Sequence, residues 1–503
     1  MDIFLQALAT AMTPMAIATI GLGALIGLIF GSIPGLTFTV ALALALPITF
    51  SMDPVPAIGL LLGTYIGGMT GGSVSAILLG IPGTPSAAAT VLDGHPMTKQ
   101  GNASIALGTA VIVSVFGGIF SLVVMIVSVD LVSRVAISFG PAEIFALVLF
   151  GLSTICGLCG ESLIKGLISG ALGLMIMTIG IDTIDGVQRM TFGSVNMLQG
   201  VNLLVAMIGL FAVPFIVEAF AVKSLTPEKS QRISRVKAEL PSLRMLSKNL
   251  WLMIKCSVMG TGIGAIPGTG GAIASFLAYD HAKRFSKKPE SFGKGNVEGV
   301  VAPETANNAV TGGTLIPLLS LGIPGDPATA IVLAGLMIHG ITPGPALFMN
   351  HAGEVYSMYV AVVLAYIWVL GLQLMGIRLF VHVLKIPREL LAVAVLVLCA
   401  IGAYSIRNSV FDVYAMGAIG VLAYVLVSFR VPITPIILGM VLGPTLENEF
   451  RTAMMLSAGD PEIFYTSPTA LIFFSLALLV IGLQAVSEFK AKRHPKNEVK
   501  ADA

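Results

Sequence analysis

The sequence predicts an all-α polytopic membrane protein of roughly 10–12 transmembrane helices, arranged as two inverted repeats. Each repeat contains a re-entrant hairpin and a helix broken by glycine and proline. Three observations carry this prediction. Of 503 residues, 56% are hydrophobic and only 11% are charged, against about 25% charged in soluble domains, and the mean hydropathy is +0.94. Apolar runs recur at Ser104 to Val129, Val201 to Val222, Val355 to Leu379, Leu390 to Ala403 and Ala470 to Val486. Their Leu, Val, Ala and Ile do not alternate, which argues against an outer-membrane barrel. Third, Gly80-Ile81-Pro82-Gly83-Thr84-Pro85 returns as Gly322-Ile323-Pro324-Gly325-Asp326-Pro327. So many glycines and prolines are tolerated at membrane depth only where the freed backbone is buried in protein or faces a water-filled cavity.

Along the chain, Met1-Asp2-Ile3 puts no basic residue ahead of the first apolar run, so the start does not resemble a cleaved signal peptide and Met1 is expected to stay. Pro14 to Phe30 and Leu36 to Phe50 form two arms about Gly31-Ser32-Ile33-Pro34-Gly35. Thr70-Gly71-Gly72 and the first Gly-Ile-Pro-Gly motif follow. Cys156 and Cys159 lie in an apolar segment, and with no further Cys or His cluster to complete a four-ligand site they read as small helix-packing residues. Glu161 and Lys165, four apart, are expected to neutralise each other. Arg134, Asp182, Asp185 and Arg189 read as loop residues.

The first 98 residues hold no Lys or Arg, while Lys223 to Lys248, Lys283 to Lys294 and Lys490 to Lys500 hold 17 of the 28 basic residues. The positive-inside rule places these three stretches in the cytoplasm and the N-terminus outside. They read as solvated loops, with no nucleic-acid site. The expected division is a first repeat at 1–222, a basic cytoplasmic loop at 223–248, a second repeat at 249–488 and a basic cytoplasmic tail at 489–503.

In the second half, Gly264-Ala265-Ile266-Pro267-Gly268 repeats the first break, and Thr311-Gly312-Gly313 and the second Gly-Ile-Pro-Gly follow in the same order. A repeat spanning a central loop is the signature of secondary transporters. Asn249 to Ile266 and Thr269 to Tyr279 flank the second break, and basic loops bound both ends. The second arm of 11 residues would be about 16 Å long as a helix, too short for a core of roughly 30 Å. This hairpin therefore opens to the cytoplasm. Its counterpart, flanked by the uncharged-to-acidic N-terminus and Ser51-Met52-Asp53-Pro54, opens outside.

A helix restarting in mid-membrane presents unpaired N–H groups and a positive dipole end, which suits a carboxylate or phosphate oxygen. Gly-Pro breaks also serve merely to kink packed helices, and that alternative stays open. On the ligand reading, Gly83, Thr84, Pro85 and Ser86 form one start, with Thr84 at the N-cap and Pro85 at the first helical position. Gly35, Thr37, Gly325 and Thr329 are the other candidate substrate residues. Asp326 would neutralise part of its own helix end, so it is assigned to the pathway or to a cation rather than to substrate. Glu304, Asn307 and Asn308 share a helix face, with Thr311 one turn on. A carboxylate at membrane depth is expensive and commonly functional, and these oxygens suit Na⁺. A helix-packing hydrogen-bond network is the alternative. Asp93, His95 and His339 follow the broken helices and are candidates for the pathway or for interfacial turns.

In Gly80-Ile-Pro-Gly-Thr-Pro-Ser-Ala-Ala-Ala-Thr-Val-Leu-Asp-Gly-His-Pro-Met97, Pro303-Glu-Thr-Ala-Asn-Asn308 and Met337-Ile-His-Gly-Ile-Thr-Pro-Gly-Pro345, the chain resembles the large membrane subunit of bacterial tripartite tricarboxylate transporters. The resemblance runs from about Gly21 to the last helix. It implies an inner-membrane carrier that works with a small four-helix membrane subunit and a periplasmic solute-binding protein, importing citrate-like or other carboxylates on a Na⁺ or proton gradient. No cofactor beyond that ion is expected. A passive channel, or a carrier for another small organic anion, is the alternative. An enzyme is not expected: the chain has no His-Glu-x-x-His, Gly-x-Ser-x-Gly or P-loop motif.

Overall fold

The computed structural model describes residues 2–34, 36–158, 162–182, 184–221, 239–383 and 388–493. In order, its helices are α1 (Asp2–Ala11), α2 (Pro14–Ser32), α3 (Phe38–Ile48), α4 (Pro54–Leu79), α5 (Ala88–Lys99), α6 (Ala103–Ala136), α7 (Pro141–Leu158), α8 (Leu163–Met177), α9 (Leu203–Ala221) and α10 (Leu243–Gly264). There follow α11 (Gly270–Phe285), α12 (Glu298–Leu321), α13 (Pro327–Ile338), α14 (Leu347–Asn350), α15 (Ala352–Val383), α16 (Arg388–Arg407), α17 (Val410–Ser428), α18 (Thr434–Leu456), α19 (Ile463–Thr466) and α20 (Pro468–Arg493). One short antiparallel hairpin, β1 (Gly180–Ile181) with β2 (Gln188–Arg189), interrupts them. Among the described residues eight helices are long and apolar enough to cross a membrane: α2, α4, α6, α9, α15, α16, α17 and α20. The protein is an all-α polytopic membrane protein.

Two compact units form, one from Met1–Ile137 with Asn202–Tyr424 and one from Ser138–Val201 with Val425–Ala503. In the first, α2 packs along α4 and α10 along α12, both through glycine. A Cβ added at Gly27 would lie 2.2 Å from the Thr64 carbonyl oxygen, and one at Gly67 would lie 2.3 Å from that of Ala24. The same contact recurs in the second half, where a Cβ at Gly260 would lie 2.2 Å from the Ala306 carbonyl oxygen. Helix axes this close leave no room for side chains, so α4 and α12 are buried along their length.

The breaks fall where proline and glycine predict. Thr13 accepts a hydrogen bond from the Ala16 N–H and Pro14 opens α2, while Pro54 opens α4 after an extended Asp53. Helix α4 ends at Gly80 with φ 73° and α12 at Gly322 with φ 72°, a left-handed conformation that favours glycine. The second arm of the second hairpin is longer than expected. Helix α11 has 16 residues, or about 24 Å, still short of the roughly 30 Å core. Its extension carries Lys283 and Arg284 past the apolar stretch, and Arg284 pairs with Asp280 at 2.7 Å. Arg134 lies within α6, not in a loop, and pairs with Asp130 at 3.0 Å.

In the second unit, α7 and α8 pack with α18 and α20. Arg189 bonds to Asp182 and Glu447, and Arg451 bonds to Asp182, Asp185 and Glu447, which fastens the hairpin to α18. The residues read as loop positions at 182, 185 and 189 are thus one ion-pair network. The Ile184 N–H and then Arg451 hold the Asp182 carboxyl down to about 2. Lys165 donates to the Phe429 carbonyl at 2.7 Å. Glu161, Cys159, residues 222–238 and the tail from 494 lie outside the described residues, so the Glu161–Lys165 pairing and the Cys-x-x-Cys reading have no description here.

Candidate functional site

The central helices α4 and α12 meet through polar side chains that apolar neighbours bury. Thr70 Oγ1 donates to Asn308 Oδ1 at 2.8 Å, and Asn307 Nδ2 donates to the Met69 carbonyl at 3.0 Å. Toward the other end of the contact, Tyr65 OH lies 2.8 Å from Thr314 Oγ1 and donates to Asp326 Oδ2 at 3.0 Å. All these side chains are buried.

Each central helix stops at its glycine, and a short half-helix restarts beyond it. In the first half, Pro85–Ala87 makes a 3-10 turn that runs directly into α5. Thr84 takes the N-cap position with an extended backbone, as its place before Pro85 predicts. Its hydroxyl does not cap, however. It lies 3.0 Å from Ser86 Oγ, and it packs so near α4 that a Cβ added at Gly72 would sit 2.2 Å from it. The Ala87 N–H donates to the Thr84 carbonyl at 3.0 Å and the Ala88 N–H to that of Pro85, so Ser86 carries the first-turn N–H that the Thr84 hydroxyl leaves uncapped. In the second half, Asp326 closes a capping box with Thr329: its Oδ1 accepts from the Thr329 N–H at 2.7 Å, and its own N–H donates to Thr329 Oγ1 at 2.9 Å. Gly325 joins this turn to the hairpin tip, its carbonyl accepting from the Gly268 N–H at 2.8 Å.

The hairpin arms cross over to the opposite half. Helix α11 packs on the Pro85–Ala87 turn, and α3 packs on α13. A Cβ added at Gly271, in the first turn of α11, would lie 2.5 Å from Asn307 Oδ1 and 3.0 Å from both Met69 Cε and Ser86 Cβ. Two helix starts thus converge on one buried amide, and its Oδ1 has no hydrogen-bond partner. Two helix starts without a side-chain cap suit an anion, and the unpaired carbonyl oxygen suits a cation or a donor.

The four oxygen-bearing residues of α12 are buried, and each turns to a different neighbour. Glu304 accepts from Thr90 Oγ1 at 2.5 Å and from Ser114 Oγ at 3.4 Å. Asn308 faces Thr70, and Thr311 Oγ1 lies 2.8 Å from Tyr366 OH. Only Asn307 faces α11. Asp93 is buried and saturated, accepting from the Gly295 and Asn296 N–H groups and from Tyr279 OH, each at 2.8 Å. The His95 ring lies against Gly80, with Nδ1 3.3 Å from the Ile77 carbonyl oxygen. His339 follows α13 at its C-cap, with a buried Nε2 that lacks a partner. Thr37 sits at the N-cap of α3, its hydroxyl 2.6 Å from Thr39 Oγ1, and Gly35 lies outside the described residues.

Sequence reasoning passed over Gly271, Tyr65 and Thr90. The run Gly268-Thr269-Gly270-Gly271 is a signal for the first, because a glycine-rich start lets a ligand approach the backbone. A cavity of about 770 Å³, lined in part by Met177, Ile179, Arg189, Leu198 and Phe450, lies in the second unit and holds none of the candidate residues.

Residues 17–438 match the family described as the tripartite tricarboxylate transporter TctA family. A protein of Agrobacterium vitis, described as an uncharacterized 52.8 kDa protein in the TAR-I ttuC' 3' region, is 36% identical over 96% of each chain. A second from the same organism, described as an uncharacterized protein in the TAR-II ttuC' 3' region, is 41% identical over 46% of this chain and 97% of its own length. No solved structure matches. A match across this much of the sequence, with relatedness that runs end to end, makes the chain a member of the TctA family of tripartite tricarboxylate transporters.

Proposed function

We propose that this chain is the membrane carrier of a cation-coupled uptake system for citrate-like carboxylates. One observation carries the reading: the uncapped start at Thr84-Pro85-Ser86 and the glycine start of α11 converge on Asn307, whose buried Oδ1 is unpartnered. A substrate carboxylate takes the N–H groups of Ser86, Gly270 and Gly271. Na⁺ takes Asn307 Oδ1, with Glu304 one turn away supplying negative charge; Asn308 and Thr311, bonded to Thr70 and Tyr366, hold the helix around it. The ion has a thermodynamic role, because a di- or trianion entering a negatively charged cell needs a cation gradient to drive it. The family's tripartite description supports two partners, read here as a small four-helix membrane subunit and a periplasmic solute-binding protein that hands over substrate. The two halves act as inverted repeats whose relative movement exposes the site to each side in turn. The inner membrane is the setting, with the N-terminus outside and the basic tail in the cytoplasm.

The test is uptake of labelled citrate, tartrate and a C4 dicarboxylate into proteoliposomes, with both partners added or omitted and with or without an inward Na⁺ gradient. Saturable uptake that needs the partners and the gradient is the expected result. Unsaturable flux indifferent to the gradient would identify a channel.

A further inference from the structure

The two Gly-Ile-Pro-Gly turns share a backbone and differ in chemistry. Both begin at a left-handed glycine that ends the preceding helix and restart with a proline after an extended residue, Thr84 in one and Asp326 in the other. The second start is complete within the chain. Asp326 holds the Thr329 N–H through Oδ1 and Tyr65 OH through Oδ2, and the Phe38 ring lies 6.1 Å from that of Tyr65. At the first start Thr84 does not cap, and the residue that corresponds to Thr329 is Ala87, which has no side-chain oxygen. Pro34-Gly35 corresponds to Pro267-Gly268, so Phe38 in α3 corresponds to Gly271 in α11. Where the second turn is closed by a carboxylate, with an aromatic ring beside its Tyr65 partner, the first has neither a capping side chain nor an aromatic ring at the corresponding position. The orphaned Asn307 Oδ1, with Asn307 wholly buried, points at Gly271 in the first turn of α11.

We propose that Asp326 is a resident carboxylate: it fills at the second turn the place that a substrate carboxylate takes at the first, and so limits this chain to gripping one carboxylate of its substrate. The inference rests on the carboxylate-carrier reading above. A further carboxylate reaching the second turn meets the Asp326 carboxyl group, whose oxygens already occupy the place it would take. It also finds the Thr329 N–H already bound. The remaining negative charge of the substrate is met by the cation instead. The asymmetry is a selectivity device, because a symmetric pair of open turns would favour anions with a carboxylate at both ends.

A reciprocal exchange in the full chain, assayed with both partners in proteoliposomes, tests this. T84D/A87T writes the second turn's capping box into the first. Gly-Ile-Pro-Gly-Asp-Pro already folds at residues 322–327, so this variant is expected to melt within a few degrees of wild type and to lose labelled-carboxylate uptake at least tenfold. D326T, and D326N as the variant that keeps the shape, are expected to tighten inhibition by propane-1,2,3-tricarboxylate and by glutarate relative to butyrate by about tenfold. Unchanged inhibition ratios in both folded Asp326 variants would overturn the proposal, and so would sustained uptake by folded T84D/A87T. If the Asp326 variants do not fold, the T84D/A87T result decides. If wild type takes up none of the carboxylates tested, the carrier reading fails and this inference falls with it; wild-type uptake with an unresponsive exchange refutes the inference alone.

Discussion

Gly271→Ala adds one methyl group where two helix starts meet. The new carbon would lie 2.5 Å from Asn307 Oδ1 and 3.0 Å from Met69 Cε and Ser86 Cβ, inside the roughly 3.5–4.0 Å at which carbon atoms rest. Met69 ends in a flexible thioether and yields readily. Asn307 does not, because its Nδ2 is held by the Met69 carbonyl at 3.0 Å and rotating the amide forfeits about 1 kcal/mol of hydrogen bonding. Ser86 Cβ is fixed by the backbone. Overpacking of this kind costs about 1–3 kcal/mol. Felt at the binding site, that is roughly a 5- to 150-fold loss of affinity. The same substitution lowers the entropy of the unfolded chain by about 0.4–1 kcal/mol, which offsets part of any loss of stability. We therefore expect a raised KM for carboxylate uptake together with a loss of stability equal to the remainder, up to about 2.6 kcal/mol, read as a lowered melting temperature. Gly262→Ala in α10, with nothing within 4 Å of its Cβ, is the control. An unchanged KM in folded Gly271→Ala would refute the placement of substrate between α11 and the Pro85–Ala87 turn.

Other outcomes follow from the same geometry. Glu304→Gln keeps the acceptor for Thr90 and removes a buried charge, so the Na⁺ concentration for half-maximal uptake should rise tenfold or more while melting stays level or improves; an unaltered Na⁺ dependence would remove Glu304 from the coupling site. Thr90→Val deletes the shorter of the two hydrogen bonds to that carboxylate and should lower stability by about 1–3 kcal/mol, read as a lower denaturation midpoint. Asp182 has a folded-state pKa held down to about 2, below the ordinary value near 3.9. Its contribution is therefore full above about pH 4 and lost as pH falls through about 2. Asp182→Asn should lower the melting temperature at neutral pH and flatten its dependence on acid, and an acid response like that of wild type would assign the titration elsewhere.

Local punctuation was legible before the fold. Proline and left-handed glycine act on their own neighbours, so the arms expected at Pro14 to Phe30 and Leu36 to Phe50 lie within two residues of α2 and of α3 with its following turn. The end of α11 was not legible, because a hydropathy criterion stops at Tyr279 while the helix continues on an Asp280–Arg284 pair. The polar cluster on α12 was legible as a face but not as a set of contacts. Spacing fixes the direction of Glu304, Asn307 and Asn308 about their own axis. Which of them meets Thr90, Met69 or Thr70 depends on partners more than 200 residues away. Thr84 shows the same limit at the scale of one side chain. Its backbone obeys the cap position, and its hydroxyl is drawn instead to Ser86.

The glycine seams between α2 and α4 and between α10 and α12 have a mechanical meaning. Where carbonyl oxygens rest in the hollows left by missing side chains, as at Gly27 against Thr64 and Gly260 against Ala306, a slip by one residue would drive a methyl or larger group into main-chain oxygen. Such a seam has one register, like the teeth of a locked gear. Any movement between the two pairs would therefore leave each pair intact and fall on the thin glycine-proline joints at its ends.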